Sequence, residues 1–400
     1  MSRGFEAVKI SEHVYWVGAI DWKLRNFHGY ETSRGSTYNA FLIIADRVTL
    51  IDAVKPNFYD EMMDRISSVI DPSQIDIIVS NHAEMDHSGS LPRLIDEVKP
   101  SKIVASAKGV QALYEHFRWD VNVETVKTGD TLDIGTGTLK FIETRMIHWP
   151  DSMFAFFDKD NILFSNDAFG MHLATGERFA DEISPYILDY EAAKYYANII
   201  LHLSPMVKRL LETLPTYNLD IKMIAPDHGP VWREDINFIL ERYSKWVEQK
   251  PTDKAVIVYD TMWESTSKMA AAVADGLVSA GAHVKILPLD GVHRSDVITE
   301  VLDAGALIVG SPTINNQIYP TVADVMNYLK GLKPKNLIGA SFGSYGWSGE
   351  AVKHLDEILE EMGVELVSPG TRIKYVPSDD NLVTMRELGV TIGKKLALLK

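Results

Sequence analysis

Asn81-His82-Ala83-Glu84-Met85-Asp86-His87-Ser88-Gly89 packs two imidazoles and two carboxylates into residues 82–87. An apolar run over 75–80 precedes it directly and reads as a buried strand. A strand ending in a polar, glycine-closed loop holds metal-binding or proton-moving groups on a rigid base. The bland alternative is a solvated loop that happens to be rich in His and acid. Three more ligand-type residues in similar post-strand positions, His148, Asp167 and His228, weigh against it.

Outward from this stretch, the grammar is strand-rich as far as about residue 246. Residues 38–44 and 48–51 read as a strand pair joined at Asp46-Arg47, and 58–70 has helical periodicity. Further strands are expected at 102–105, 139–142, 153–157, 162–165 and 221–225, with one long amphipathic helix over 191–214. The polar, Pro-containing segment 248–253 is the linker candidate, giving domains 1–250 and 251–400. Beyond it strand and helix alternate strictly: 255–259, 283–287, 307–310 and 337–342 as strands, 267–280, 296–302, 322–329 and 350–362 as helices. That alternation implies a doubly wound parallel sheet.

A chain of 400 residues exceeds the size at which one core stops growing, so two domains are expected. No apolar run reaches the ~18 residues of a membrane helix, and the N-terminal Met1-Ser2-Arg3-Gly4-Phe5-Glu6 lacks the apolar stretch of a leader. A cytoplasmic protein without membrane association is the expectation. A net charge of −15 argues against nucleic acid as a partner. With no cysteine, disulfides, thiolate catalysis and Cys-held metal or iron–sulfur centres are excluded within this chain. Any metal must sit on His, Asp and Glu.

His82, Glu84, Asp86 and His87 with His148, Asp167 and His228 make four imidazoles and three carboxylates. A single ion takes three or four such ligands, so seven point to two ions, with Asp167 as the natural bridge. Hard carboxylates mixed with imidazole suit iron, manganese or zinc. The set resembles the metallo-β-lactamase superfamily, whose hydrolases carry His-x-His-x-Asp-His followed by His, Asp and His. Glu84 stands where those hydrolases place their second His. An anionic oxygen ligand favours a harder metal, which moves the reading from zinc hydrolysis toward redox chemistry.

In the second half, Asp260-Thr261-Met262-Trp263-Glu264-Ser265-Thr266 opens the first helix with hydroxyls and free backbone N–H groups, an anion site that needs no Lys or Arg. Ser311-Pro312-Thr313-Ile314-Asn315-Asn316 and Gly343-Ser344-Tyr345-Gly346-Trp347-Ser348-Gly349 follow the third and fourth strands, where open α/β sheets bind ligands. These loops resemble those of flavodoxin: Thr261 to Thr266 around the FMN phosphate, and Pro312, Thr313, Ile314 and Asn315 with Gly343, Ser344, Tyr345, Gly346 and Trp347 around the isoalloxazine. Glu264 fits a phosphate loop least well. A flavin-free fold of the response-regulator kind needs an acidic pocket and a late Lys, whereas Gly and aromatics stand here.

A β-lactamase-like domain with the Glu variant followed by a flavodoxin-like domain resembles the flavodiiron proteins over essentially the whole chain. Asp21-Trp22, Phe27-His28-Gly29-Tyr30, Thr37-Tyr38-Asn39-Ala40, His148-Trp149-Pro150-Asp151-Ser152, Asn166-Asp167-Ala168-Phe169-Gly170 and Tyr195-Tyr196-Ala197-Asn198 also fit that family. The resemblance implies an αββα metallo-β-lactamase-like sandwich followed by a flavodoxin-like sheet. It implies reduction of O₂ to water, of NO to N₂O, or of both, at a non-haem diiron site fed through FMN. The external donor would be rubredoxin or a similar carrier, with coenzyme F420 serving some members. His82, Glu84 and His148 would hold one iron; Asp86, His87 and His228 the other, with Asp167 between. In some members water displaces the residue matching His87. A head-to-tail homodimer, or a dimer of such dimers, would set the FMN of one subunit beside the irons of the other. On spacing alone His28 reads as a packed loop residue; the resemblance makes it and Tyr195 pocket residues. Two other readings compete: a dizinc hydrolase whose flavodoxin-like part only binds a partner, and an electron carrier with a vestigial metal site.

Overall fold

The computed structural model of the chain describes residues 4–399. Residues 1–3, part of the stretch read above as lacking a leader, lie outside the described residues. The chain divides into two compact units, Met1–Tyr195 with Pro205–Ser244, and Tyr196–Ser204 with Lys245–Lys400.

The first unit is the expected αββα sandwich. A seven-stranded sheet runs in the order Val8–Lys9, Val14–Trp16, Phe41–Ile43, Thr49–Ile51, Ile77–Ser80, Lys102–Ser106, Glu124–Val126. A five-stranded sheet runs Thr131–Asp133, Thr138–Glu143, Met153–Phe157, Ile162–Phe164, Met223–Ala225. Alternate residues of both sheets, among them Phe41, Ile77, Val79, Phe141, Ala155 and Phe164, meet in one buried layer. The opposite residues of the first sheet, such as Leu42, Leu50 and Ile78, pack under the helices Tyr59–Ser67 and Leu91–Val98. Strands buried on both faces must be apolar throughout, which is why 75–80 shows no alternation.

Two expectations change. The strand over 38–44 is two pieces, Ser36–Tyr38 and Phe41–Ile43. Between them the Asn39 N–H donates to the Asp227 carbonyl (2.7 Å) rather than to a ladder partner. Its side chain donates to the carbonyls of Pro226 (2.6 Å) and Gly229 (2.9 Å). The long helix over 191–214 is also interrupted. Pro185–Tyr195 is α-helical, Tyr196–Ile200 forms a π turn and Leu201–Leu203 a 3₁₀ turn, after which Ser204–Thr213 restarts the helix. Pro205 has no N–H for the Leu201 carbonyl, which accepts from the Ser204 hydroxyl instead (2.7 Å). Amphipathic periodicity does not register such a break. Asn198 of the interrupted turn accepts from Tyr328 Oη (2.8 Å) and donates to the Ser295 carbonyl (3.2 Å), both in the second unit, as is the turn itself.

The second unit is a parallel sheet in the order His283–Pro288, Lys254–Tyr259, Ala306–Gly310, Ile338–Tyr345, with Glu365–Leu366 and Thr371–Lys374 both alongside the last. The expected strands and helices are present. The sequence reading assigned nothing beyond residue 362, where the structure adds two short strands and the helix Asp379–Leu396. That helix lies against Ser265–Ser279 at backbone contact. A Cβ on Gly276 would stand 2.0 Å from the Arg386 carbonyl oxygen, and one on Gly389 would stand 2.1 Å from that of Val273. Glycine inside a helix costs about 1 kcal/mol relative to Ala, so these positions look unfavourable until the facing backbone is seen.

Gly276→Val is therefore expected to destabilise this unit by about 2–3 kcal/mol, as overpacking against unyielding backbone does. Urea unfolding followed by circular dichroism measures it. An unchanged midpoint would show that the two helices separate at little cost.

Candidate functional site

The metal-type residues converge from four strand-end loops of the first unit. Asn81 stands just beyond Ile77–Ser80, and its N–H and side-chain amide both donate to the Asp52 carboxylate (2.7 and 2.8 Å). The loop then turns into the short helix Met85–Ser88, which carries Asp86 and His87. Asp167 follows Ile162–Phe164, and His228 follows Met223–Ala225. Gly170 allows the last two loops to touch, since a Cβ there would stand 2.8 Å from the His228 carbonyl oxygen.

All seven residues meet in one cavity as two groups able to hold an ion: His82, Glu84, His148 and Asp167, and Asp86, His87 and His228. Ligand atoms within each group lie within 4.8 Å of one another. Every imidazole presents Nε2. Glu84 Oε2 lies 3.3 Å from His82 and 3.2 Å from His148. Asp167 divides its carboxylate. Oδ2 lies 3.3 Å from His82 and 3.4 Å from His148, while Oδ1 lies 3.3 Å from His228 and 3.5 Å from His87. Asp86 completes the second group, 3.3 Å from His228 and 3.5 Å from His87.

The outer ring nitrogens of His82 and His228 are held in place. His82 Nδ1 lies 3.0 Å from Asp151 Oδ2, an oxygen that also accepts from the Ala83 N–H (2.7 Å). His228 Nδ1 donates to the Thr37 carbonyl (2.6 Å), leaving Nε2 with its lone pair toward the cavity. His87 Nδ1 lies 3.7 Å from Asp227, whose carboxyl burial and the nearby Asp52 push well above the usual range. Burial also pushes the Glu84 carboxyl up, but hydrogen bonds from His148 and His82 outweigh it and bring the pKa down to about 2. Burial pushes His87 down, but Asp86, Asp167 and Asp227 raise it to about 10; His148 reaches about 8 through Asp167 and Glu84, against the same burial.

The cavity thus calls for positive charge. Both oxygens of Asp86, Oδ2 of Asp167 and Nε2 of His87 are buried without a hydrogen bond. Such unpaired ligand atoms are costly unless a cation takes them, so the residues fit two metal ions.

Tyr195 is buried, and its hydroxyl donates to Asp167 Oδ1 (2.9 Å). His28 is not packed, as spacing suggested, but 77% exposed at the cavity mouth, with Nε2 3.6 Å from Glu84 Oε1. His172 is not among the residues expected from the sequence; its Nδ1 lies 2.7 Å from Ser36 Oγ and its ring packs 4.6 Å from that of His228 and 5.2 Å from that of Tyr195. A histidine two residues past the segment 166–170 was the available signal. Asp52 and Asp227 were missed because their role lies in contacts between distant loops.

In the second unit the three strand-end loops surround a cavity of about 590 Å³. Met262, Trp263 and Ser265 line it from the first loop, Thr313, Ile314 and Asn315 from the second, and Ser344, Tyr345, Gly346 and Trp347 from the third. Asn316, Ser348, Tyr375 and Val376 complete the lining and were not read from the sequence. Tyr375 follows the unassigned strand Thr371–Lys374, whose carboxyl end was the missed signal. Trp263 and Trp347 are 89% and 86% exposed. Pro312 is buried outside the lining, and Gly343 acts through its missing side chain: a Cβ would stand 1.9 Å from the Ser311 carbonyl oxygen. Thr261 Oγ1 is buried without a partner, Thr266 Oγ1 lies 3.3 Å from Ser344 Oγ, and Glu264 is exposed with a left-handed backbone (φ 61°) and no capping bond. An unpaired hydroxyl at a helix start beside a cleft with aromatic walls fits a phosphorylated flat ring system.

Residues 37–229 match the family model described as ODP family beta lactamase, and 257–389 match the flavodoxin model. The chain is 44% identical to a nitric oxide reductase of Moorella thermoacetica over 98% of this chain and 99% of that one. The solved rubredoxin oxygen:oxidoreductase of Desulfovibrio gigas is 43% identical with a TM-score of 0.97, over 98% of this chain and 99% of that one. The flavodiiron protein of Giardia intestinalis is 34% identical with a TM-score of 0.96, over 100% of this chain and 98% of that one. Two domains in the same order, matched from end to end at these identities, make this chain a member of the flavodiiron protein family.

Proposed function

We infer that the protein is an oxidoreductase reducing O₂ to water, NO to N₂O, or both, with electrons passed through FMN from an external carrier such as rubredoxin or coenzyme F420. The observation that carries this reading is the division of Asp167, one oxygen toward His82 and His148 and the other toward His87 and His228. A bridging carboxylate is built that way. Glu84 in place of a second His supports iron over the zinc of the hydrolase alternative.

His82, Glu84, His148 and Asp167 would hold one iron, and Asp86, His87 and His228 with Asp167 the second. Two adjacent irons would supply neighbouring binding positions and electrons for the gas, and FMN the remaining electrons. The chain's own residues do the rest. Asp151 and the Thr37 carbonyl fix the rings of His82 and His228, so the Nε2 atoms are aimed before anything binds. Tyr195 keeps its proton, because burial and Asp167 push the phenol well above its usual pKa, and it can donate a hydrogen bond beside the bridge. His28, open to solvent and next to Glu84, can pass protons inward. Thr261, Ser265 and Thr266 would hold the FMN phosphate, and Trp263, Tyr345 and Trp347 would flank the flavin.

The functional division is taken as 1–250 for the metal and 251–400 for the flavin, in a cytoplasmic head-to-tail homodimer or a dimer of such dimers. Among the described residues no helix is long and apolar enough to cross a membrane. In such a dimer the flavin of one chain serves the irons of its partner.

Protein from iron-replete cells is expected to carry about two irons per chain, matching the two ligand groups. Asp167→Ala should abolish magnetic coupling between them, measured by electron paramagnetic resonance of the half-reduced protein. Tightly held zinc with phosphoesterase activity would instead favour the hydrolase.

Apoprotein should bind FMN far more tightly than riboflavin, since only FMN carries the phosphate that the hydroxyl loop is placed to hold. Equal affinities in a fluorescence titration would remove the phosphate-loop assignment.

Mixed dimers are expected to test the dimer. One chain carries Asp167→Ala, the other Ser265→Asp with Thr266→Asp, and each variant alone should be inactive. The mixed dimer should regain one working pair. An inactive mixed dimer that still holds iron and FMN would exclude transfer between chains.

A further inference from the structure

We propose that the mouth of the metal cavity is a binding subsite for small inorganic anions, organised by Lys55. The proposal rests on the two-metal reading above.

A cavity of about 240 Å³ opens there, and Lys55 shares its wall with His28, Glu84 and Asp86. The ammonium is half-buried and held from three sides. It donates to Tyr38 Oη (2.5 Å), and lies 4.4 Å from the centre of the Tyr38 ring and 5.2 Å from that of Phe27. Tyr38 Oη in turn donates to Asp21 Oδ2 (3.1 Å), which leaves its lone pairs for Lys55. Asp21 Oδ1 accepts from the N–H groups of Lys23 and Leu24 (3.1 and 3.0 Å), so the same residue fixes the loop leading to Phe27 and His28. Asp21, Tyr38 and Lys55 thus form one directed chain of hydrogen bonds ending in a positive charge.

Among the described residues that charge makes no ion pair. An ammonium carries three donors, and among the described residues Tyr38 takes one while no carboxylate pairs with Lys55. Three carboxylates do not cancel two divalent or trivalent cations, and Lys55 adds to the excess at the mouth, where His28 is open to solvent beside the buried Glu84. Aromatic rings around it exclude water and strengthen its field. The cavity's size admits an anion of a few atoms. In turnover the same ammonium would face the negative charge that reduction places on the substrate's oxygen.

The test is azide binding to the oxidised, iron-loaded protein, followed by absorbance at low ionic strength, with iron content measured on every sample. Lys55→Met and Lys55→Gln are expected to weaken azide about tenfold, the size of one nearby charge in a partly screened pocket. Lys55→Arg should stay within about threefold of the wild type. Tyr38→Phe, which keeps the charge and removes its tether, should weaken azide less than Lys55→Met. Wild-type affinity in either neutral variant, with both irons retained, would overturn the subsite alone. If neither neutral variant retained iron, unchanged affinity in Tyr38→Phe would overturn it. A wild-type protein without iron would overturn the metal reading and this subsite together.

Discussion

One buried carboxylate, Asp167, set between two groups of imidazoles, is the contact on which the first unit depends. Burial alone favours the neutral forms of both acid and base. Here the two signs are interleaved so closely that burial loses: Asp167 is pushed well below the usual carboxylate range and His82 well above the usual imidazole range. A cluster so charged, with several ligand atoms left unbonded, is poorly satisfied by its own members. Cations would complete it, and the same field that would retain them would set the polarity of whatever enters.

Such a cluster survives only if its loops cannot relax. Each springs from the end of a buried strand, and the loops are tied to one another by bonds that run across the sandwich. Asn39 clamps the 226–229 turn, Asp52 clamps Asn81, and Asn166 donates to the Met153 carbonyl (2.8 Å) while accepting from the Asp167 N–H (2.5 Å). These polar groups are themselves buried and paired, so loosening one leaves another unsatisfied. The interrupted strand at Asn39 is part of the same arrangement: a ladder position is given up to hold the loop that carries His228.

The second unit solves a different problem with different means. Its ligand is expected to be large, flat and removable, and its walls are loops with exposed indoles rather than a sealed charge cluster. Precision enters through missing side chains. Gly343 lets its strand end close against Ser311, and Gly276 with Gly389 brings two helices to backbone contact beneath the sheet.

The sequence by itself determined the two fold classes and the seven metal-type residues. Buried strands, alternating strand and helix, and short ligand-rich loops are local patterns with local causes. Strand ends also mark most of the loops that line the second unit's cavity, because ligand sites in open α/β sheets follow strand ends. What the tertiary structure decided is which groups share a space. Asp167 was legible as the middle carboxylate of the set, but the placing of each oxygen beside its own pair of rings required the folded cavity. His28 was misread as packed because exposure depends on what lies opposite a loop. The π turn after Tyr195 is hidden from the sequence because its causes, Pro205 and partners about a hundred residues or more further along the chain, lie outside helical periodicity. His172, Asp227 and the Asp21–Tyr38–Lys55 chain act through residues far away in sequence, and no pattern along one chain encodes a distance across it.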